Sequence, residues 1–472
     1  MVFSSLVFLC VFLPVVFAVV FVLPGVRLKN VALIVASLLF YAYGEPVYVL
    51  LMLVSATINW LLGLRVAPSC SDAPHLKRHK VVLGLAVSLN LLFLGVFKYA
   101  GMLVGSLNAV IGTSIPVPDI ALPIGISFYT FQAMSYVVDA YRGEVKPQRN
   151  FLNVLLYIAF FPQLIAGPII KYHDIESQLT ERSITLEGVA YGFRRFCVGL
   201  AKKVLIANTM AVTADAVFTA SFDEINIAVA WIGALAYLFQ IYFDFSGYSD
   251  MAIGLAHMFG FTYKENFQYP YSSTTIKEFW RRWHISLSTW FKEYLYIPLG
   301  GNRKGRLRAS VNKIIVFLCC GLWHGAAWTF VLWGAIHGLF LLVEEFVPIK
   351  KLPKPIGWAY TMVVVVFAFV LFRADTIQQG FFMMQQMLLG FHFEPAAMAL
   401  ALRQMTPLFF VTFAVACIAA LPVKNELERI VVSHGGQVAF ECISFVLCFV
   451  LLVLCVLSLS GGGYNPFIYF RF

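Results

Sequence analysis

The chain has 472 residues, of which 60% are hydrophobic, 16% aromatic and only 12% charged, and its mean hydropathy is +0.82. A soluble domain carries roughly 25% charged residues, so there are too few polar side chains here to cover a water-facing surface of this size. Aqueous α/β folds, nucleic-acid readers and disulfide scaffolds are excluded on that ground. What remains is a polytopic membrane protein of all-α class, and its net charge of +10 points first to cytoplasmic loops beside anionic lipid and only then to an acidic substrate.

Taken in chain order, the apolar runs long enough to approach a span of about 20 residues are 5–24, 31–43, 47–64, 81–97, 121–138, 151–170, 193–219, 227–243, 245–261, 314–342, which is long enough for two, 356–372, 405–422 and 438–459, with 99–112 ambiguous. This predicts a bundle of about eleven to fourteen membrane helices in a single transmembrane domain, 1–472. The first run lacks a basic leader and a small-residue cleavage site and reads as a retained span. Arg27 and Lys29, the loop from Ala67 to Lys80 and the loop from Tyr141 to Asn150 are basic, whereas Gly44 to Pro46 and 113–120 are not. Basic loops stay inside, so both termini are expected outside, the aromatic tail "NPFIYFRF" included. The nine cysteines form no CxxC pair, and Cys70 alone lies in a polar loop.

Residues 262–313 break the apolar pattern with ten Lys and Arg residues interleaved with Trp280, Trp283 and Trp290. The segment cannot span; Trp280, Trp283, Leu287, Trp290 and Phe291 recur at helical spacing, which predicts one interfacial helix with Arg282, Ser286 and Glu293 on its other side. Arg281 and Arg282 sit beside His284 on it, and an ordinary headgroup histidine is the simplest account of His284. The turn "PLGGNRKGRLR" that follows, with Arg303 and Lys304, is basic and glycine-rich enough to hold phosphates, although positive-inside bias explains it equally well.

An ionisable group at membrane depth marks a functional site by default, because burying it costs a few kcal/mol. His324, in "GLWHGAAW" next to Trp323, is the first such group in its run. A neutral imidazole in a dry site is a general base; a packing histidine bonded to a carbonyl is the competing account. His337 reads better as structural. Asp244 and Asp250, in "YFDFSGYSDMAIG", must be paired or solvated: they can break the helix at Gly247, pair structurally, support a catalytic base or line an ion path. Cys320 and His324 share a helix face as two zinc ligands would, but no further ligands are apparent, so no metal is expected.

The stretches "FWRRWHISLSTWFKEYLYIPLGGNRKG" and "GLWHGAAWTFVLWGAIHG", with "ALPIGISFYTFQAMSYVVDAYRG", "FPQLIAGPI" and "YFDFSGYSDMAIGLA" before them, resemble the membrane-bound O-acyltransferase (MBOAT) family. The likeness is strongest to the membrane component of bacterial alginate O-acetylation and weaker to the D-alanyl transfer protein of teichoic acid synthesis; 373–404 and 423–437 are not matched. The resemblance implies a ring of helices around a thin, funnel-shaped centre in the bacterial inner membrane. It implies that His324 is catalytic, that His284 lines the same passage and that Asp244 and Asp250 support it. It implies no bound cofactor, with acetyl-CoA or another acyl thioester as donor, an exported polysaccharide as acceptor, and a second, extracytoplasmic esterase-like acetyltransferase as partner, with an acyl carrier protein as a further candidate. D-alanyl transfer and, in another class, solute or ion transport are the alternatives.

Overall fold

Inside a bilayer each backbone amide must be satisfied within its own segment, which leaves helices as the natural outcome for a chain this apolar. The computed structural model describes residues 1–66 and 77–468, and among these there is no strand. Most of the basic loop with Cys70, and residues 469–472 of the aromatic tail, lie outside the described residues. In chain order the principal helices are α1 Phe8–Val22, α2 Gly25–Ala42, α3 Tyr48–Val66, α4 Lys77–Ile111, α5 Ile126–Arg142, α6 Phe151–Ala159, α7 Leu186–Phe218, α8 Ile227–Met258, α9 Ile276–Arg282, α10 Ile285–Phe291, α11 Arg306–His324, α12 Trp328–Phe346, α13 Lys354–Arg373, α14 Ile377–Leu389, α15 Pro395–Gln404, α16 Pro407–Ala419, α17 Val423–Ser433 and α18 Gln437–Ser460.

Among the described residues eight helices are long and apolar enough to cross a membrane, or nine if α15 and α16, bent by 64°, count as one broken span. Neighbouring hydropathy runs fuse: 81–97 joins 99–112 in α4, and 227–243 joins 245–261 in α8. Gly247 therefore does not break a helix, because a lone glycine costs only about 1 kcal/mol in a helix interior and the ladder runs on through it. Other runs are shorter than a span, such as α6, which ends where Pro162 follows. The unmatched segment 373–404 is largely α14 and α15, and the unmatched 423–437 contains α17.

Contacts divide the chain into two compact units, Met1–Phe193 with Ala252–Lys264, and Arg194–Met251 with Glu265–Phe472. The first is built around Phe8, Phe12, Phe40 and Phe161, whose rings lie 5.4 to 6.2 Å apart. At membrane depth α3 and α4 are joined by Asn59 and Asn90, each amide donating to the other (3.2 and 2.7 Å), the kind of buried polar pair that holds helices together where lipid removes the hydrophobic drive.

The second unit depends on close helix approach. On α7 a Cβ at Gly199 would stand 2.6 Å from the Gly247 carbonyl of α8, and a Cβ at Gly247 2.7 Å from the Gly199 carbonyl, so only hydrogen fits at either place. The α11–α12 hairpin closes the same way: a Cβ at Gly321 would meet the Phe330 carbonyl at 2.2 Å, and one at Gly334 the Phe317 carbonyl at 2.2 Å. The helix α18 is apolar almost throughout and most of its side chains are exposed, as suits a helix facing lipid.

Candidate active site

His324 is the last residue of α11, not the middle of a continuous span. Gly325 and Ala327 are extended (φ −161° and −145°) before α12 begins, and the hairpin brings α12 back across the imidazole. The ring lies 5.0 Å from Trp323, 5.1 Å from Trp333 on α12 and 5.2 Å from Phe372 on α13, centroid to centroid. Its side is one wall of a cavity otherwise lined by Ile241, Phe245, Trp283, Trp333, Phe369, Phe372 and Ile468. His324 is the one polar side chain in that lining apart from the tryptophan N–H groups, and it is 6% exposed. Water is largely kept from such a site, and a lone pair there is not masked by hydration.

The second histidine arrives by an unexpected route. Residues 276–291 do not form one interfacial helix: α9 and α10 are separated at Trp283 and His284, and His284 takes a left-handed backbone (φ 43°, ψ 55°). A non-glycine residue there costs of order 1 kcal/mol or more. The break turns His284 inward, fully buried, 4.5 Å from Phe245 and 6.3 Å from His324. The aromatic set predicted for a surface stripe is buried too: Trp280, Trp283, Leu287, Trp290 and Phe291 are all 7% exposed or less. His284 is thus a core residue and not a headgroup histidine.

The remaining candidates fall elsewhere. Arg281 is exposed, and Arg282 bonds Glu278 (2.8 Å) and Ser272 (2.9 Å). Arg303 and Lys304 are exposed on the glycine-rich turn, which Asn312 of α11 holds by donating to the Gly301 carbonyl (3.2 Å). His337 accepts from the Trp280 indole N–H at 3.2 Å, a packing role. Among the described residues the only grouping of three or more metal-ligand side chains is Asp139, Glu144 and His173 in the first unit; it does not include Cys320 and His324.

Both carboxylates of α8 are paired. Asp250 meets Arg195 (2.6 Å) and Lys202 (2.6 Å), and Arg195 also reaches Glu265 (2.5 Å). Asp244 meets Lys203 (2.8 Å) and accepts from the Ile468 backbone N–H (2.8 Å). Lys203 further donates to Asn208 and to the Pro466 carbonyl. This polar clamp holds the tail segment whose Ile468 lines the cavity. Sequence reading missed Lys202, Lys203 and Arg195 as partners; their signal was present, since they are charges inside the apolar run 193–219 and such charges pair. Asn266, which contacts His284, and Ile468 carried no such signal.

Residues 144–385 match the MBOAT, membrane-bound O-acyltransferase family. This chain belongs to that family. The protein of Pseudomonas putida named "Probable alginate O-acetylase AlgI" is 40% identical over the full length of both chains. The "Peptidoglycan O-acetyltransferase" of Helicobacter pylori is 36% identical over 80% of this chain and 78% of its own, and the "Teichoic acid D-alanyltransferase" of Bacillus subtilis 28% over 53% and 67%. As an MBOAT protein the chain is a multi-pass membrane acyltransferase. All the candidate residues, from Asp244 to His324, lie within the matched region.

Proposed function

We propose that this acyltransferase moves an acetyl group from a cytoplasmic acyl thioester to a hydroxyl of an exported polysaccharide such as alginate, with His324 as the general base. The observation that carries the reading is the position of His324: a buried imidazole on the wall of an apolar cavity, beside a second buried imidazole. A thioester is already activated, but a hydroxyl near neutral pH is a weak nucleophile. As the oxygen attacks the thioester carbon, His324 takes the hydroxyl proton; when the tetrahedral adduct collapses, the carbon–sulfur bond breaks and the thiolate takes that proton back. An ester and a thiol result. A two-carbon acyl group is supported by the acetyl transfer named for the relatives at 36 and 40% identity.

In this reading both termini lie on the extracytoplasmic side of a bacterial inner membrane, as the distribution of basic loops favours, 1–472 works as one transmembrane domain, and Arg303 and Lys304 lie on the cytoplasmic face, suited to the phosphates of acetyl-CoA or of an acyl carrier protein. The acyl group, and not its carrier, thus crosses the membrane as the ester of a first hydroxyl acceptor, and an extracytoplasmic acetyltransferase partner completes its delivery to the polysaccharide. Cells carrying His324→Ala should insert the protein normally and export polysaccharide without ester acetate. Unchanged acetate in that strain refutes the assignment.

A further inference from the structure

We propose that Asn266 is a positioning residue that fixes His284 as its Nδ1–H tautomer, so that the Nε2 lone pair is presented as a second acceptor beside His324. The inference rests on the reading of His324 above and adds a residue to it. Asn266 is fully buried and is bonded on every side. Its Oδ1 accepts from the Ser286 backbone N–H (3.1 Å) and from Ser286 Oγ (2.9 Å), and its Nδ2 donates to Ser249 Oγ (2.9 Å). A backbone N–H is only ever a donor, so the amide cannot be turned round without setting two donors against each other.

His284 Nδ1 lies 3.3 Å from that same Oδ1. An oxygen pinned as an acceptor needs a hydrogen on the ring nitrogen facing it, and the tautomer follows from the partner. Ser286 Oγ is also 3.4 Å from Nδ1, but its single hydrogen is directed to the nearer Asn266 oxygen, which leaves Nδ1 the donor in either contact. Asn266 acts through the main chain as well: its carbonyl accepts from the Ile285 N–H at 2.9 Å, which holds the left-handed turn at His284. The other nitrogen, Nε2, is buried and has no hydrogen-bond partner among the described residues.

The two imidazoles are 6.3 Å apart between centroids, too far for their nitrogens to bond directly at roughly 3 Å and near enough to face one bound group. Because Nε2 is preset as an acceptor, the group it takes is a donor: an O–H or N–H of the bound substrates other than the proton that His324 removes.

The tautomer is read directly from the imidazole 15N resonances of histidine-labelled wild-type protein in lipid, with His284→Gln to assign the signal. A pyrrole-type Nδ1 and a pyridine-type Nε2 are expected; the reverse assignment overturns the proposal. In acetyl-CoA turnover by purified protein, Asn266→Ala should lose about 100-fold in kcat with KM little changed, as wrong-tautomer histidines do. Asn266→Asp keeps the acceptor while losing the donor to Ser249, and is expected within about threefold of wild type. A purely structural role predicts that Asp fails as badly as Ala, and that outcome, or full activity of Asn266→Ala, counts against us. His324→Ala run alongside separates the two readings: if it remains active, it is the assignment of His324 that fails.

Discussion

Asp244 and Lys203 are 2% and 3% exposed at their side chains, and a buried pair of this kind is costly to break on one side only. Replacing one partner leaves an uncompensated charge, at about 3–5 kcal/mol. Lys203→Met should therefore lower the melting temperature in detergent sharply, while Lys203→Met with Asp244→Asn, which keeps an acceptor for the Ile468 N–H, should recover much of the loss. Equal melting of the single and double variants would contradict the clamp. A second residue-scale test concerns His173, outside the spans, whose Nδ1 lies 3.0 Å from Asp139 and 3.6 Å from Glu144 and whose Nε2 lies 3.4 Å from Asp174. The hydrogen bond to Asp139 raises its pKa above 6.5, against the lowering effects of burial and Lys171. Its contribution to stability is thus fully present below 6.5 and is lost as pH rises through the raised value. Melting temperature should fall across that window in wild type and fall less in His173→Gln. At this scale the sequence marked His324 and the α8 carboxylates because intramembrane charge is conspicuous. Asn266 and Ile468 were illegible, since a lone asparagine in a polar segment and an isoleucine in an apolar tail look ordinary until the fold brings them to the site.

The element that makes the site is the α11–α12 hairpin, whose glycines let two backbones touch. Gly334→Ala would set a methyl group 2.2 Å from the Phe317 carbonyl, and backbone cannot yield as a side-chain tip can. The expected cost is about 1–3 kcal/mol of overpacking, together with a displacement of Trp333, the preceding residue, from its place 5.1 Å from His324. Acyl transfer should drop at least about tenfold while the protein remains inserted; a variant with wild-type turnover would argue that the hairpin contact does not set the geometry. Hydropathy marked the single run 314–342 where α11 and α12 turn back on each other at His324, and helical periodicity misjudged 276–291. The pattern Trp280, Trp283, Leu287, Trp290 fits one helix, and nothing in the spacing reveals that Asn266 holds His284 in a left-handed turn that splits it. A tertiary hydrogen bond decided what periodicity had left as a continuous helix.

For the molecule as a whole, composition alone excluded a soluble fold, and the structure bears this out with eight or nine helices, among the described residues, apolar enough to cross a membrane. Hydropathy located them but not their joins, because a run such as 227–261 reads the same whether a helix continues through Gly247 or stops there. The cations that pair with the α8 carboxylates, Arg195, Lys202 and Lys203, come from α7 and not from α8's own sequence. Function at this scale is acyl transfer by a multi-pass membrane enzyme, and a transporter built from the same helices would behave differently. The most direct test is turnover of a labelled acetyl thioester by purified protein in proteoliposomes with no ion gradient, wild type against His324→Ala. We predict thiol release and ester formation that require a hydroxyl acceptor and vanish in the variant. Turnover indifferent to His324, or activity that appears only with a Na⁺ or proton gradient and moves an intact solute, would contradict it.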